Sequence, residues 1–271
     1  MDKKHITSAI SQAFGKFASY KFYKPIQNII NSSYVSIMGL DMGEFHDPST
    51  YKSLNELFTR RLREPRDFSL DSSDFISPCD SLVSEVGTIE NGIALQIKGM
   101  SYSVDELLGD TFKNKEILDG GSFINLYLSP KDYHRYHIPT NLKVLRATHI
   151  PGKFYPVNIP SLNKRANLFS QNERVVIECE TSEAKRFYMV LVSALNVGVM
   201  QVSFDDRIKT NASALTPQTY EYDDLYLDKG DDFGCFEMGS TIVLLTQKDM
   251  LEPNVIAHQR VKFGENLAKL V

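Results

Sequence analysis

From Asp74 to its end, the chain is written in short apolar stretches set too close together for long helices to fit between them. Leu82–Ile89, Ile93–Lys98, Ser122–Leu128, Leu142–Ile150, Arg174–Glu180, Phe187–Ala194, Val197–Phe204 and Thr241–Thr246 are each rich in Val, Ile, Leu, Phe or Tyr. Asn91-Gly92, Gly120-Gly121 and Pro151-Gly152 punctuate them as turns. One short helix interrupts, marked by Ser103 three residues ahead of Glu106 and followed by Leu107 and Leu108. Closely spaced strands of this kind pair with their neighbours and fold as an antiparallel sheet or sandwich. The stretch from Phe187 to Phe204 carries no charge and approaches the length of a membrane span. Ser193, Asn196, Gln201, Ser203 and the break at Gly198 make it two strands joined by a turn instead.

Ahead of Asp74 the period changes. Ile6, Ile10, Ala13, Phe14 and Phe17 recur at helical spacing, and after Pro25 so do Ile26, Ile29, Ile30, Tyr34 and Ile37. Up to Leu40 this arm holds Lys3, Lys4, Lys16, Lys21 and Lys24 against the single acid Asp2. A basic amphipathic arm suits an anionic membrane surface. Ser53 and Glu56 form a capping box for a further helix with Leu54, Leu57, Phe58 and Leu62 on one face. Arg60, Arg61, Arg63 and Arg66 read as a solvated helix end. The expected fold class is α+β: a mostly antiparallel β-sandwich over residues 74–271, preceded by N-terminal amphipathic helices within a membrane-associating region, residues 1–73.

The chain has 271 residues and a formal net charge of −4, which gives no general attraction to nucleic acid. Cys79, Cys179 and Cys235 are odd in number and unpaired in spacing, as in a reducing compartment. No secretory signal opens the sequence, so the expected place is the cytoplasmic face of a cell membrane, peripherally attached.

Three segments hold groups capable of chemistry. His134 and His137 lie in the dense polar stretch Tyr133–Pro139 and titrate near neutrality, as general acids and bases do. With His149 as a third ligand they would make a metal site, but the spacing does not favour one. Asp80 stands where the strand region begins; it is a turn residue or the carboxylate that orients a histidine. Ser240 follows Gly239 and opens an apolar, β-branched run to Leu245. Glycine removes the Cβ that would hinder attack on its own carbonyl.

Asp80, Tyr133–Pro139, Ala166–Phe169 with Asn172–Arg174, and Lys229–Thr241 follow one another as they do in phosphatidylserine decarboxylases. Ser53–Leu62 is also similar to the segment ahead of that family's catalytic domain. The chain is identified as a member of this family by resemblance over nearly its whole length. Three residues depart from the family pattern, Cys79 and Ser81 beside Asp80 and Met238 before Gly239, and none removes a reacting group. The resemblance implies a proenzyme cut by its own Ser240 at the Gly239–Ser240 bond. The products would be a β subunit, residues 1–239, and an α subunit, residues 240–271, with Ser240 converted into an N-terminal pyruvoyl cofactor. It further implies that His137, oriented by Asp80, takes the proton of Ser240, and that His134 serves as acid in decarboxylating phosphatidylserine to phosphatidylethanolamine. The implied partners are phosphatidylserine in an anionic membrane and the two subunits of one precursor, with no nucleic acid and room for a homo-oligomer. On the residues alone, three alternatives stay open: a serine hydrolase with an Asp80/His137/Ser240 triad, a pyruvoyl decarboxylase of a soluble amino acid, and a membrane-associated β-sandwich without catalysis.

Overall fold

A computed structural model describes residues 14–112, 115–195, 199–210, 216–237 and 240–271. The expected helix over Ile6–Ala18 falls partly outside them, as do Val197, where one strand was expected to begin, and Gly239. Helix α1 covers residues 14–19. Helix α2 (Lys24–Met38) starts with Pro25 in its first turn and stops at Gly39, whose φ of 65° is left-handed backbone. In α3 (Leu54–Phe58) the Ser53 hydroxyl accepts from the Glu56 amide at 3.1 Å, while Glu56 reaches back to the amide of Lys52. The apolar face of α3 is buried. Helix α4 (Val104–Leu108) is capped in the same way by Ser103.

The chain is α+β and mostly antiparallel. Its strands are β1 (Asp74–Ile76), β2 (Ser81–Thr88), β3 (Ile93–Ile97), β4 (Met100–Ser103), β5 (Ser122–Leu128), β6 (Arg135–His137), β7 (Leu142–Ile150) and β8 (Arg174–Thr181). They continue with β9 (Arg186–Val192), β10 (Met200–Val202), β11 (Gln218–Leu227), β12 (Asp232–Phe236), β13 (Ser240–Thr246), β14 (Leu251–Pro253), β15 (Arg260–Val261) and β16 (Asn266–Leu270). The main sheet has eight strands in the order β11-β7-β8-β9-β13-β5-β2-β15. Two three-stranded sheets, β1-β16-β14 and β10-β12-β6, and the β3-β4 hairpin accompany it. The stretch read as a strand–turn–strand unit divides between sheets: β9 lies at the centre of the main one and β10 pairs with β12.

Strand β13 is buried along its whole length, with the apolar run Ile242–Leu245 at its centre and sheet neighbours on both sides. Side chains alternate across it, so the two faces can be assigned from their contacts. Val243 pairs with Asn125, which accepts from the Tyr102 hydroxyl at 3.1 Å and donates to the Leu95 carbonyl at 2.7 Å. The β3-β4 hairpin therefore covers that face. Thr246 pairs with Phe187, whose ring meets Phe75 of β1 edge-on at 5.6 Å. This opposite face is also the face of Ser240, six residues before Thr246.

At one edge of this core a Cβ on Gly121 would lie 1.9 Å from the carbonyl oxygen of Thr246. Backbone cannot yield as a side-chain tip can, so Gly121→Ala is expected to lower unfolding free energy by about 2 kcal/mol or more, measured by urea denaturation.

Candidate active site

Ser240 is the first residue of β13, paired with Leu128 at the end of β5. Four residues earlier, the Phe236 amide donates to the His134 carbonyl at 2.9 Å. Both flanks of the bond expected to be cut are thus tied to one segment, Leu128 to His134. The Ser240 hydroxyl is fully buried and has no hydrogen-bond partner among the described residues. A buried hydroxyl without a partner is unfavourable unless the site uses it. Thr241 also has an unpartnered hydroxyl, but alternation puts it on the other face.

His134 is fully buried against the Phe58 ring, with centroids 4.0 Å apart. Its Nδ1 lies 2.8 Å from the Asp132 carbonyl, which can only accept, so the proton sits on Nδ1. Nε2 is left with a bare lone pair and no partner among the described residues. Burial pushes the His134 pKa down to about 3. Ser240 thus offers a buried hydroxyl able to donate and His134 a buried imidazole nitrogen able to accept, with no hydrogen bond between them.

His137 closes β6, opposite Asp232 of β12. Its Nδ1 donates to the Gly230 carbonyl at 2.9 Å, and its Nε2 lies 3.0 Å from the Tyr133 hydroxyl, from which it accepts. Its ring stacks on Phe263 with centroids 3.6 Å apart and planes 11° from parallel. Burial pushes its pKa down to about 4, with the nearby Arg135 and Arg66 also lowering it and the Gly230 bond and Asp232 opposing.

Asp80 does not orient His137 through a direct hydrogen bond here. Both its oxygens accept from Arg66, at 2.5 and 3.0 Å, and Oδ1 also accepts from the Phe263 amide at 2.8 Å. Its link to His137 runs through Phe263, whose amide it holds and whose ring covers the imidazole. The reading of the arginines as a solvated helix end is corrected as well. Arg60 is buried over the Phe45 ring and donates to the carbonyls of Lys131 and Asp132 at 3.2 and 3.3 Å. Arg61 and Arg135 both pair with Asp232. The helix ends at Phe58, so Arg60, Arg61 and Arg66 lie beyond it: Arg60 is spent on backbone carbonyls, Arg61 and Arg66 on carboxylates, and Arg63 stays exposed with the Gly43 carbonyl.

One buried pair escaped sequence reasoning. Thr241, Val192, Arg174 and Ile150 form one row across the sheet. The next row continues from Ser240 to Ser193 and Glu173, where the Ser193 amide donates to the Glu173 carbonyl at 2.9 Å. The Glu173 carboxylate meets His149 Nε2 at 2.8 Å on Ser240's side of the sheet. Glu173 stands in the Asn172–Arg174 motif, but its partner lies 24 residues away, at a separation that only sheet register closes. His149 is therefore committed to a carboxylate, and no three metal-capable side chains group together among the described residues. Burial raises the pKa of the Cys79 and Cys235 thiols, the latter to about 11, which leaves both protonated and poorly nucleophilic.

Comparison with known proteins adds a second line. A family model described as phosphatidylserine decarboxylase matches residues 54–269. A phosphatidylserine decarboxylase proenzyme from Helicobacter pylori is 45% identical over 269 residues, covering 97% of this chain and 97% of that protein. One from Campylobacter jejuni is 45% identical over 262 residues, covering 95% and 97%. One from Marinobacter nauticus is 34% identical over 269 residues, covering 97% and 93%.

The two depressed histidines make stability depend on pH. Above pH 6.5 each is neutral whether the chain is folded or not. Below it the unfolded chain takes up protons that the folded one refuses, so stability falls from pH 6.5 down through about 4 and then about 3. In urea titrations across this window, His134→Asn and His137→Asn should each reduce the slope of stability against pH by up to about 1.4 kcal/mol per unit.

Proposed function

The chain belongs to the phosphatidylserine decarboxylase family, and from that premise we propose that it decarboxylates phosphatidylserine to phosphatidylethanolamine after cutting itself between Gly239 and Ser240. The observation that carries the self-cleavage is the fully buried Ser240 hydroxyl at the start of β13, without a partner among the described residues. In the uncut chain this hydroxyl faces no solvent, which favours a reaction within the chain over the hydrolase alternative. The carbonyl of the preceding residue is covalently held beside it, so the intramolecular reaction needs no access.

The Ser240 oxygen attacks the Gly239 carbonyl carbon as its proton passes to a histidine. The C–N bond breaks, the nitrogen takes up a proton, and an ester replaces the amide. Loss of the Ser240 Cα proton and cleavage of the Cβ–O bond then release Gly239 as a carboxylate. The dehydroalanine left behind hydrolyses with loss of ammonia to an N-terminal pyruvoyl group. The surroundings fit such a group: a buried strand start that leads into an apolar run, with both its flanks tied to the segment from Leu128 to His134. When in place, that carbonyl supplies a sink for the electrons left by departing carbon dioxide.

The two histidines divide the proton transfers. His137, in the neighbourhood of Asp80, is assigned the proton of Ser240, which requires its Nε2 to exchange the Tyr133 hydroxyl for the serine. His134 keeps its Nε2 free and is assigned proton delivery during decarboxylation; acid–base help of this kind contributes about 10²–10⁴-fold.

Membrane contact falls to α1 and α2. No helix among the described residues is long and apolar enough to cross a bilayer. Ile26, Ile29 and Ile37 of α2 are exposed, together with Phe17, Tyr20 and Tyr23 and next to Lys16, Lys21 and Lys24. Exposed apolar bulk rimmed by lysine suits peripheral attachment to an anionic surface.

Two measurements test this reading. Intact mass should show wild-type chain as two fragments, the smaller carrying a pyruvoyl terminus, while Ser240→Ala stays at full length without decarboxylase activity; an active full-length chain would refute it. In co-sedimentation with phosphatidylserine-containing vesicles, Ile29→Glu with Ile37→Glu should reduce the bound fraction several-fold, and unchanged binding would remove the membrane role of α2.

A further inference from the structure

Outside the two histidines, a polar network centred on Arg66 joins the N-terminal region to the strand region. All five N–H donors of Arg66 are engaged. Nε and Nη2 donate to the two oxygens of Glu44 at 2.8 and 2.9 Å. Nη1 and Nη2 donate to the two oxygens of Asp80 at 2.5 and 3.0 Å, and Nη1 also reaches the Phe263 carbonyl at 3.4 Å. Lys262 supports Glu44 from the far side at 3.2 Å. The Arg66 side chain is mostly buried, so this geometry is held rather than sampled.

The chemistry of Asp80 follows from the count. A carboxylate has about four acceptor sites. Arg66 takes two and the Phe263 amide takes a third, on the oxygen already shared with Nη1. One site remains, on Oδ2. The fork thus fixes the carboxylate plane and leaves a single direction in which it can still accept. The same contacts hold the Phe263 backbone at both its amide and its carbonyl, and the Phe263 ring is the platform under His137.

We propose that Arg66, buttressed by Glu44, is a positioning residue for self-cleavage: it aims Asp80 and seats the Phe263 platform, so that His137 is set by residues that precede the first strand. This rests on the reading that Asp80 and His137 serve the Ser240 cleavage. Lysine can keep the charge but not the two-sided fork, so geometry and charge are separable. Arg66 is also one of the charges facing His137, with Arg135 on its side and Asp232 opposing. Tyr133 and the Gly230 carbonyl complete the polar groups around that ring.

The test follows the disappearance of full-length chain made in a cell-free system and then shifted to a pH between about 3 and 9, a window that spans the titration of His137, with thermal melts at each pH as a control for folding. Arg66→Lys should cleave at least ~10-fold more slowly, the size of losing one well-oriented contact worth about 1.4 kcal/mol, with the acid limb of its pH profile unmoved. Arg66→Gln should be as slow and have its acid limb moved to higher pH, because one cation that disfavours protonated His137 is gone. Glu44→Gln, at a half-exposed position, should fold normally and slow cleavage to a smaller degree. Wild-type rates in Arg66→Lys, or faster cleavage in any of the three, overturn the proposal. Asp80→Asn separates the two levels. If it abolishes cleavage while the Arg66 variants cleave normally, only the positioning role falls. If it cleaves normally, the assignment of Asp80 falls and this inference with it.

Discussion

Strand β13 is paired along nearly its whole length on both sides, to β5 and to β9. A strand held by two ladders cannot slide by one residue without breaking both and turning every side chain to the opposite face. That constraint decides which of two adjacent hydroxyls meets the candidate site. Ser240 lies on the face that leads towards β1, and Thr241 on the face under the β3-β4 hairpin. It also places the start of β13 beside the end of β5, from which the chain runs on to the two histidines. The site is a consequence of register before it is a consequence of any one side chain.

Burial sets its chemistry. His134 and His137 are both inside, and the cost of burying a charge keeps them neutral at physiological pH. A neutral imidazole is a base with an available lone pair, which suits a site whose first task is to take a proton from a hydroxyl. The same dryness is costly: among the described residues the Ser240 hydroxyl and the His134 Nε2 have no partner, and a buried polar atom without a partner lowers stability.

The charged residues ahead of the first strand complete the arrangement. Arg60, Arg61 and Arg66 follow α3 closely in sequence but reach three separate targets: the carbonyls of Lys131 and Asp132, the carboxylate of Asp232, and the carboxylate of Asp80. Each target lies in, or beside, a segment that carries a candidate site residue. The region expected to serve the membrane is thus also wired into the strand region, and the boundary at Asp74 divides the secondary structure more cleanly than it divides the interactions.

Much of this was legible in the order of residues. Alternation and turn dipeptides mark β5 and β7 to the residue, because a buried antiparallel strand must be apolar and its ends must turn. Strands β6 and β12 were not legible. Their three and five residues are polar or glycine-punctuated, and pairing across the sheet, β12 with both β6 and β10, is what marks them as strands. The candidate site residues Ser240, His134, His137 and Asp80 could be named from sequence, since chemistry selects residue types and a linear motif preserves them. Their partners could not. Asp80 to Arg66, His149 to Glu173 and His137 to Gly230 are contacts across 14, 24 and 93 residues. Sequence alone determined which functional groups this protein owns and that its strands would stack into an antiparallel sheet. Only the tertiary structure decided which group holds which, because hydrogen bonds and charge pairs act over a few ångströms in space and are indifferent to distance along the chain.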